Sequence, residues 1–149
     1  MKKFFQMSAK TFYGFEDILC KELKKINAID VIKSNRIVYF KGDKELMYKA
    51  NLCLRTALKI LIPLENKKVL NYEALYKFAF DFEWENYFHK DSSFYINSVC
   101  FGKYFTHSLY VSQRVKDGIV DRFRKSKGLR PAVDKSNPDI YIDVHIDNN

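Results

Sequence analysis

The sequence predicts an α/β (α+β) protein built as two lobes that divide near residues 65–70. Three observations predict it. Short stretches rich in β-branched and aromatic residues alternate with stretches whose apolar residues recur every three or four positions. The connections between them are short, so helices are laid on sheets. The polar break "ENKKV" at 65–69 separates a first set of elements from a second. A chain of 149 residues, 47% hydrophobic and 16% aromatic, has enough apolar material for one domain or two small ones, which excludes a disordered chain.

In the first lobe, "FFQMSA" (4–9) reads as a strand. "GFEDILCKELKKI" (14–26) follows as an amphipathic helix, with Phe15, Ile18, Leu19, Leu23 and Ile26 on one stripe and Glu22 the single polar intruder. Lys21, Lys24 and Lys25 suit the negative end of its dipole. Within "DVIKSNRIVYFKGD" (30–43) a strand is expected at Arg36–Phe40, stopped by Gly42-Asp43, with Asp43 placed to cap the next helix. That helix is "KELMYKANLCLRTA" (44–57), and "LKILIPL" (58–64) is a strand ended by Pro63. The first lobe is therefore expected as β-α-β-α-β.

In the second lobe, Asn71 can cap a helix over 72–80, and "DFEWENYF" (81–88) holds Trp84, expected to be buried at or near the junction of the lobes. Core packing is the first reading for Trp84 and base stacking the second. "SFYINSVCFG" (93–102) alternates as a strand. A helix begins near Ser108, with Val111, Val115, Ile119, Val120 and Phe123 as its buried stripe. "RKSKGLRPAVDKSNPD" (124–139) reads as a loop, and "IYIDVHID" (140–147) as a strand with one polar face. The turn residues Asn148 and Asn149 would open a hairpin, so the chain is expected to be a piece of a longer protein, incomplete at its last hairpin.

The formal charge is +8, and residues 107–131 carry much of it: Arg114, Lys116, Arg122, Arg124, Lys125, Lys127 and Arg130 against Asp117 and Asp121. A basic helix margin followed by "RKSKGLRP" can offer cations to phosphates; a solvated helix face is the competing reading. Arg114 and Arg124 lie about 80° apart around the helix, whereas Lys116 lies about 200° beyond Arg114. The expected RNA-binding set is Lys103, His107, Arg114, Lys116, Arg124, Lys125, Lys127 and Arg130, with Lys103 and His107 at its margin.

Catalytic patterns are scarce. His89, His107 and His145 lack metal-ligand spacing, and Cys20, Cys53 and Cys100 contain no C-x-x-C pair, so no metal site is expected. An odd number of cysteines speaks against a secreted disulfide framework, and no run approaches a membrane span; a cytoplasmic protein is expected. The five scattered glycines form no nucleotide loop. Asp134 and Asp139 are better read as turn caps than as a catalytic pair. No catalytic group, cofactor or S-adenosylmethionine site is expected in these residues.

Four blocks, "GFEDILCKELKKINA" (14–28), "IVYFKGDKELMYKANLCLRTALKILIPL" (37–64), "VKDGIVDRFR" (115–124) and "RPAVDKSNPDIYIDVHI" (130–146), resemble in order and spacing the N-terminal part of THUMP-domain RNA methyltransferases of the bacterial 23S rRNA guanine-N2 type. The resemblance implies a ferredoxin-like domain at 1–65 and a THUMP RNA-binding domain at 66–149. It implies a methyltransferase domain downstream that holds S-adenosylmethionine, and an RNA partner, 23S rRNA or tRNA. A protein-interaction or small-ligand module of ferredoxin-like type is the alternative.

Overall fold

The structure is a computed structural model and describes residues 3–89 and 91–147. The expected turn at Asn148 and Asn149 lies outside them. The chain forms two compact units, Met1–Asn66 and Lys67–Asn149.

The first unit runs β1 (Phe5–Lys10), α1 (Glu16–Lys25), β2 (Ile29–Ser34), β3 (Ile37–Gly42), α2 (Lys44–Cys53) and β4 (Lys59–Leu61). Its four strands form an antiparallel sheet in the order β2-β3-β1-β4. Met7, Ala9, Val38 and Phe40 point to one face, where Leu19 and Leu23 of α1 and Leu46 and Ala50 of α2 close the core. Both helices therefore cover the same side of the sheet. Glu22, the polar residue on the apolar stripe of α1, accepts hydrogen bonds from the backbone of Arg55 and Thr56 and from the Thr56 hydroxyl at 2.8 Å, which anchors the turn into β4.

β2 departs from the sequence reading, which expects no strand there and only five of the six elements. Nearly all of its residues are exposed, so it lacks the alternation that marks a half-buried strand. It is an exposed edge strand with a register shift between Ile29 and Ile32, where Asp30 has φ +51°. A two-residue turn at Asn35-Arg36, with Arg36 at φ +58°, returns the chain into β3. The second helix is also shorter than its stripe suggests, because Leu54 is already extended.

The second unit runs α3 (Tyr72–Asp81), a 3-10 turn (Trp84–Asn86), β5 (Phe94–Cys100), α4 (Ser108–Lys127) and β6 (Ile140–Ile146). β5 and β6 are parallel, paired from Phe94 with Ile140 to Cys100 with Ile146. A parallel pair needs a crossover, and α4 supplies it. Val111, Val115, Ile119, Val120 and Phe123 of α4 pack with Phe94, Ile96 and Ile142. Trp84 belongs to this core, with its indole N–H donating to the Ala79 carbonyl at 2.7 Å, and is thus held within the second unit.

Two boundaries differ from the sequence reading. α4 continues through Lys127, so the basic first half of the expected loop is helical; the terminator is Gly128, at φ +66°, whose N–H bonds the Arg124 carbonyl. At the other end the capping position is His107, with no side-chain cap, while the Ser108 carbonyl accepts from the Ser98 hydroxyl. Asp134 accepts from the backbone N–H groups of Ser136 and Asn137, as a turn cap does, whereas Asp139 accepts from the backbone N–H and hydroxyl of Ser93, 46 residues away, and ties the start of β6 to that of β5 instead of capping its own turn.

Candidate nucleic-acid interface

α4 carries most of the expected cations, and its packing sorts them. The helix lies against α3 at Gly118. A Cβ there would sit 2.8 Å from Ala79 Cβ and 2.8 Å from the Tyr76 carbonyl oxygen, so only glycine admits this approach. The close seam brings acids of the α3 side to bases of α4.

Arg114 stands in that seam. Its guanidinium lies 4.7 Å from the centre of the Tyr76 ring and bonds Glu73 at 2.8 Å. Its Nε is buried without a hydrogen-bond partner among the described residues. Arg122 is held further still: Nε meets both oxygens of Glu85 at 2.9 and 3.0 Å, and Nη1 meets the Phe80 and Asp81 carbonyls at the end of α3. Burial pushes the Glu85 carboxyl up, but hydrogen bonds from its own backbone, Arg122 and Ser126 outweigh it and hold the group below the usual range. Burial first, then its hydrogen bond to Asp121, pushes the Tyr76 phenol up, so it remains a donor.

Two more cations face carboxylates on α4 itself. Lys116 meets Asp117 at 2.8 Å, and Arg124 meets Asp121 at 3.3 Å. Lys125 extends over the Phe80 ring at 5.5 Å from its centre and is exposed. Lys127 and Arg130 are exposed beyond the last carboxylate of the helix. Together Arg124, Lys125, Lys127 and Arg130 form a basic cluster around the C-terminal end of α4. Lys103 and His107 are exposed at the opposite end, where His107, Leu109, Tyr110 and Gln113 line a shallow depression of about 320 Å³. With 20 residues between the ends, at about 1.5 Å each, these two groups are separated by about 30 Å along the helix.

The eight expected residues thus fall into three exposed cations at the C-terminal end of α4 (Lys125, Lys127 and Arg130), a distant pair, and Arg114, Lys116 and Arg124, which meet carboxylates. Glu73 and Glu85 are the residues that sequence reasoning missed. Each is an ordinary exposed-looking acid in its own segment, and only the α3–α4 seam makes it a counter-ion. Among the described residues no group of three His, Cys, Asp or Glu could hold a metal ion, and no helix is long and apolar enough to cross a membrane.

Two family models match the chain in succession: the RlmL ferredoxin-like domain over residues 6–61 and the THUMP domain over residues 70–149. The chain is 34% identical over 148 residues to a ribosomal RNA large subunit methyltransferase K/L from Shewanella frigidimarina, covering 99% of this chain and 20% of that protein. It is 33% identical over 141 residues to the protein of the same name from Magnetococcus marinus, again covering 20% of that protein. The chain spans about a fifth of the length of these curated relatives. Among solved structures, a predicted N6-adenine-specific DNA methylase from Listeria monocytogenes superposes with a TM-score of 0.82 at 27% identity, over 97% of this chain and 38% of that one.

Proposed function

We propose, from the premise that this chain belongs to the THUMP-domain family, that it is the RNA-binding and substrate-positioning module of an S-adenosylmethionine-dependent RNA methyltransferase. The proposed substrate is 23S rRNA, modified at a guanine N2, and the proposed compartment is the cytoplasm. One observation carries the reading. The ferredoxin-like and THUMP matches follow one another along nearly the whole chain, within relatives named as ribosomal RNA large subunit methyltransferases. Methyl transfer and S-adenosylmethionine binding are assigned to other parts of the parent protein, and RNA delivery to this one.

In this reading the cluster at the end of α4 makes the phosphate contacts of the second unit. Lys127 and Arg130 are the principal cations, Lys125 and Arg124 flank them, and Lys103 and His107 extend the footprint at the far end. Phosphate contacts set affinity and register without choosing sequence. Binding of this chain to a 23S rRNA fragment, measured by fluorescence anisotropy against salt, tests the reading. The expected result is an affinity that falls steeply with salt and a preference for the rRNA fragment over tRNA. A partner insensitive to salt, with no RNA bound, would place the chain among protein- or metabolite-binding modules instead.

A further inference from the structure

The basic cluster at the end of α4 sits on a stretch with little to hold it in place. Phe123 and Pro131 are buried, and every residue between them, 124–130, is exposed. The carbonyls of a last helical turn have no onward intrahelical partners. This turn also sets Arg124 and Lys127 three positions apart, a like-charge pair that works against the helix. Gly128 closes the turn through the backbone of Arg124, which ties it to no other part of the chain. A turn with so few buried contacts belongs to the easily opened end of a structure.

Among the described residues, one hydrogen bond joins this stretch to a distant segment: the Ser126 hydroxyl donates to Oε1 of Glu85 at 3.0 Å. The same carboxylate accepts from Arg122 Nε at 2.9 and 3.0 Å. Arg122 and Ser126 are four residues apart and share one face of α4, so a single side chain grips its last two turns. Glu85 is itself firmly placed. It lies in the 3-10 turn Trp84–Asn86, beside a tryptophan that is part of the core and bonded to the Ala79 carbonyl. By charge alone, a carboxylate bonded to the residue between Lys125 and Lys127 disfavours a phosphate there.

We propose that Glu85 is a positioning residue of the RNA site: it touches no RNA, and through Ser126 and Arg122 it keeps the last two turns of α4 helical, so that Lys125 and Lys127 meet phosphates already arranged. The inference rests on the RNA-binding role proposed above and assigns to that site the residue that pre-organises it. A segment that must be ordered on binding lowers affinity, and one ordered beforehand does not. The number of phosphates neutralised is the same in both cases, so the anchor acts on affinity and leaves the salt slope alone.

The test is anisotropy of the rRNA fragment against salt for the whole chain and for Glu85→Ala, Ser126→Ala and Ser126→Thr, at a temperature where circular dichroism shows each folded. Amide hydrogen exchange over residues 124–128 is followed in the free chains. Glu85→Ala should weaken binding about tenfold and Ser126→Ala about threefold, both with the salt slope of the parent and faster exchange. Ser126→Thr keeps the hydroxyl and should match the parent in affinity and exchange. The sign of the first effect discriminates: were Glu85 only a nearby negative charge, its removal would tighten RNA binding. Ser126→Ala alters no charge and decides the matter if Glu85→Ala does not fold. Unchanged or tighter binding by Ser126→Ala or by a folded Glu85→Ala, or a slope lowered by about one unit in either, would overturn this inference and leave the proposed function standing. A parent chain that binds no RNA would overturn the proposed function and this inference with it.

Discussion

Arg122 and Lys127 are both cations of α4, yet their surroundings give them opposite roles. Arg122 spends its fork on Glu85 and two carbonyls of α3. Arg122→Ala should therefore cost about 2 kcal/mol of stability in a denaturant titration, and Arg122→Lys should recover little of it, because an ammonium cannot reproduce a planar bidentate contact. Arg114, fixed between Glu73 and Tyr76, should behave similarly: Arg114→Ala lowers Tm and leaves the salt slope of RNA binding unchanged. Lys127→Ala and Arg130→Ala should do the reverse, each lowering that slope by about one unit with Tm unaltered. Glu16 supplies a pH signature. Backbone amides, its own and that of Arg36 foremost and then that of Gly14, hold its carboxyl below the ordinary value of 4.5 against an opposing effect of burial. A depressed folded-state value means the stabilisation is complete above pH 4.5 and is lost as pH falls through the folded value. Glu16→Gln should accordingly lose less Tm than the parent on acidification below that pH, as followed by circular dichroism.

At the scale of elements, the legible parts were those whose signals are local. Asp43 and Asn71 cap their helices as their positions suggest, accepting from Leu46 N at 2.9 Å and Ala74 N at 2.7 Å. The buried stripe of α4 was legible too, because a 3.6-residue period is written in the chain itself. β2 was not, since an edge strand stripped of alternation carries no periodic signal and is held by its neighbour β3. Gly118 was equally silent: within an amphipathic pattern it reads as a weak helix residue. Only the approach of α3 shows that it has to lack a side chain. Gly118→Ala should therefore destabilise by about 1–2 kcal/mol, the overpacking cost exceeding the roughly 1 kcal/mol that alanine returns in helix propensity. Thermal unfolding would decide it, since a rise in Tm would mean that the seam opens without cost.

At the scale of the whole molecule, the two units have separate cores with no residue in common, and the chain between β4 and α3 is largely exposed. Limited trypsin digestion should cut first at Lys68, leaving two resistant fragments, and the fragment 1–68 should keep its circular dichroism when isolated. Cleavage that begins inside α1 or α4 would show that neither unit holds its structure. The charge of the molecule also belongs to this scale. A window of 25 residues looked strongly basic by count, but counting along the chain cannot see Glu73 and Glu85 folding onto it.

The sequence by itself determined the class of fold, the caps of α2 and α3 and the family, because periodicity, capping chemistry and the order of motif blocks are properties of neighbours along a chain. Tertiary structure alone decided which cations of α4 meet carboxylates of the α3 side, why position 118 is glycine, and that β2 joins the first sheet as its edge. Each of these depends on residues distant in sequence meeting across a helix seam or a strand register, and pairwise distances of that kind have no signature in local pattern.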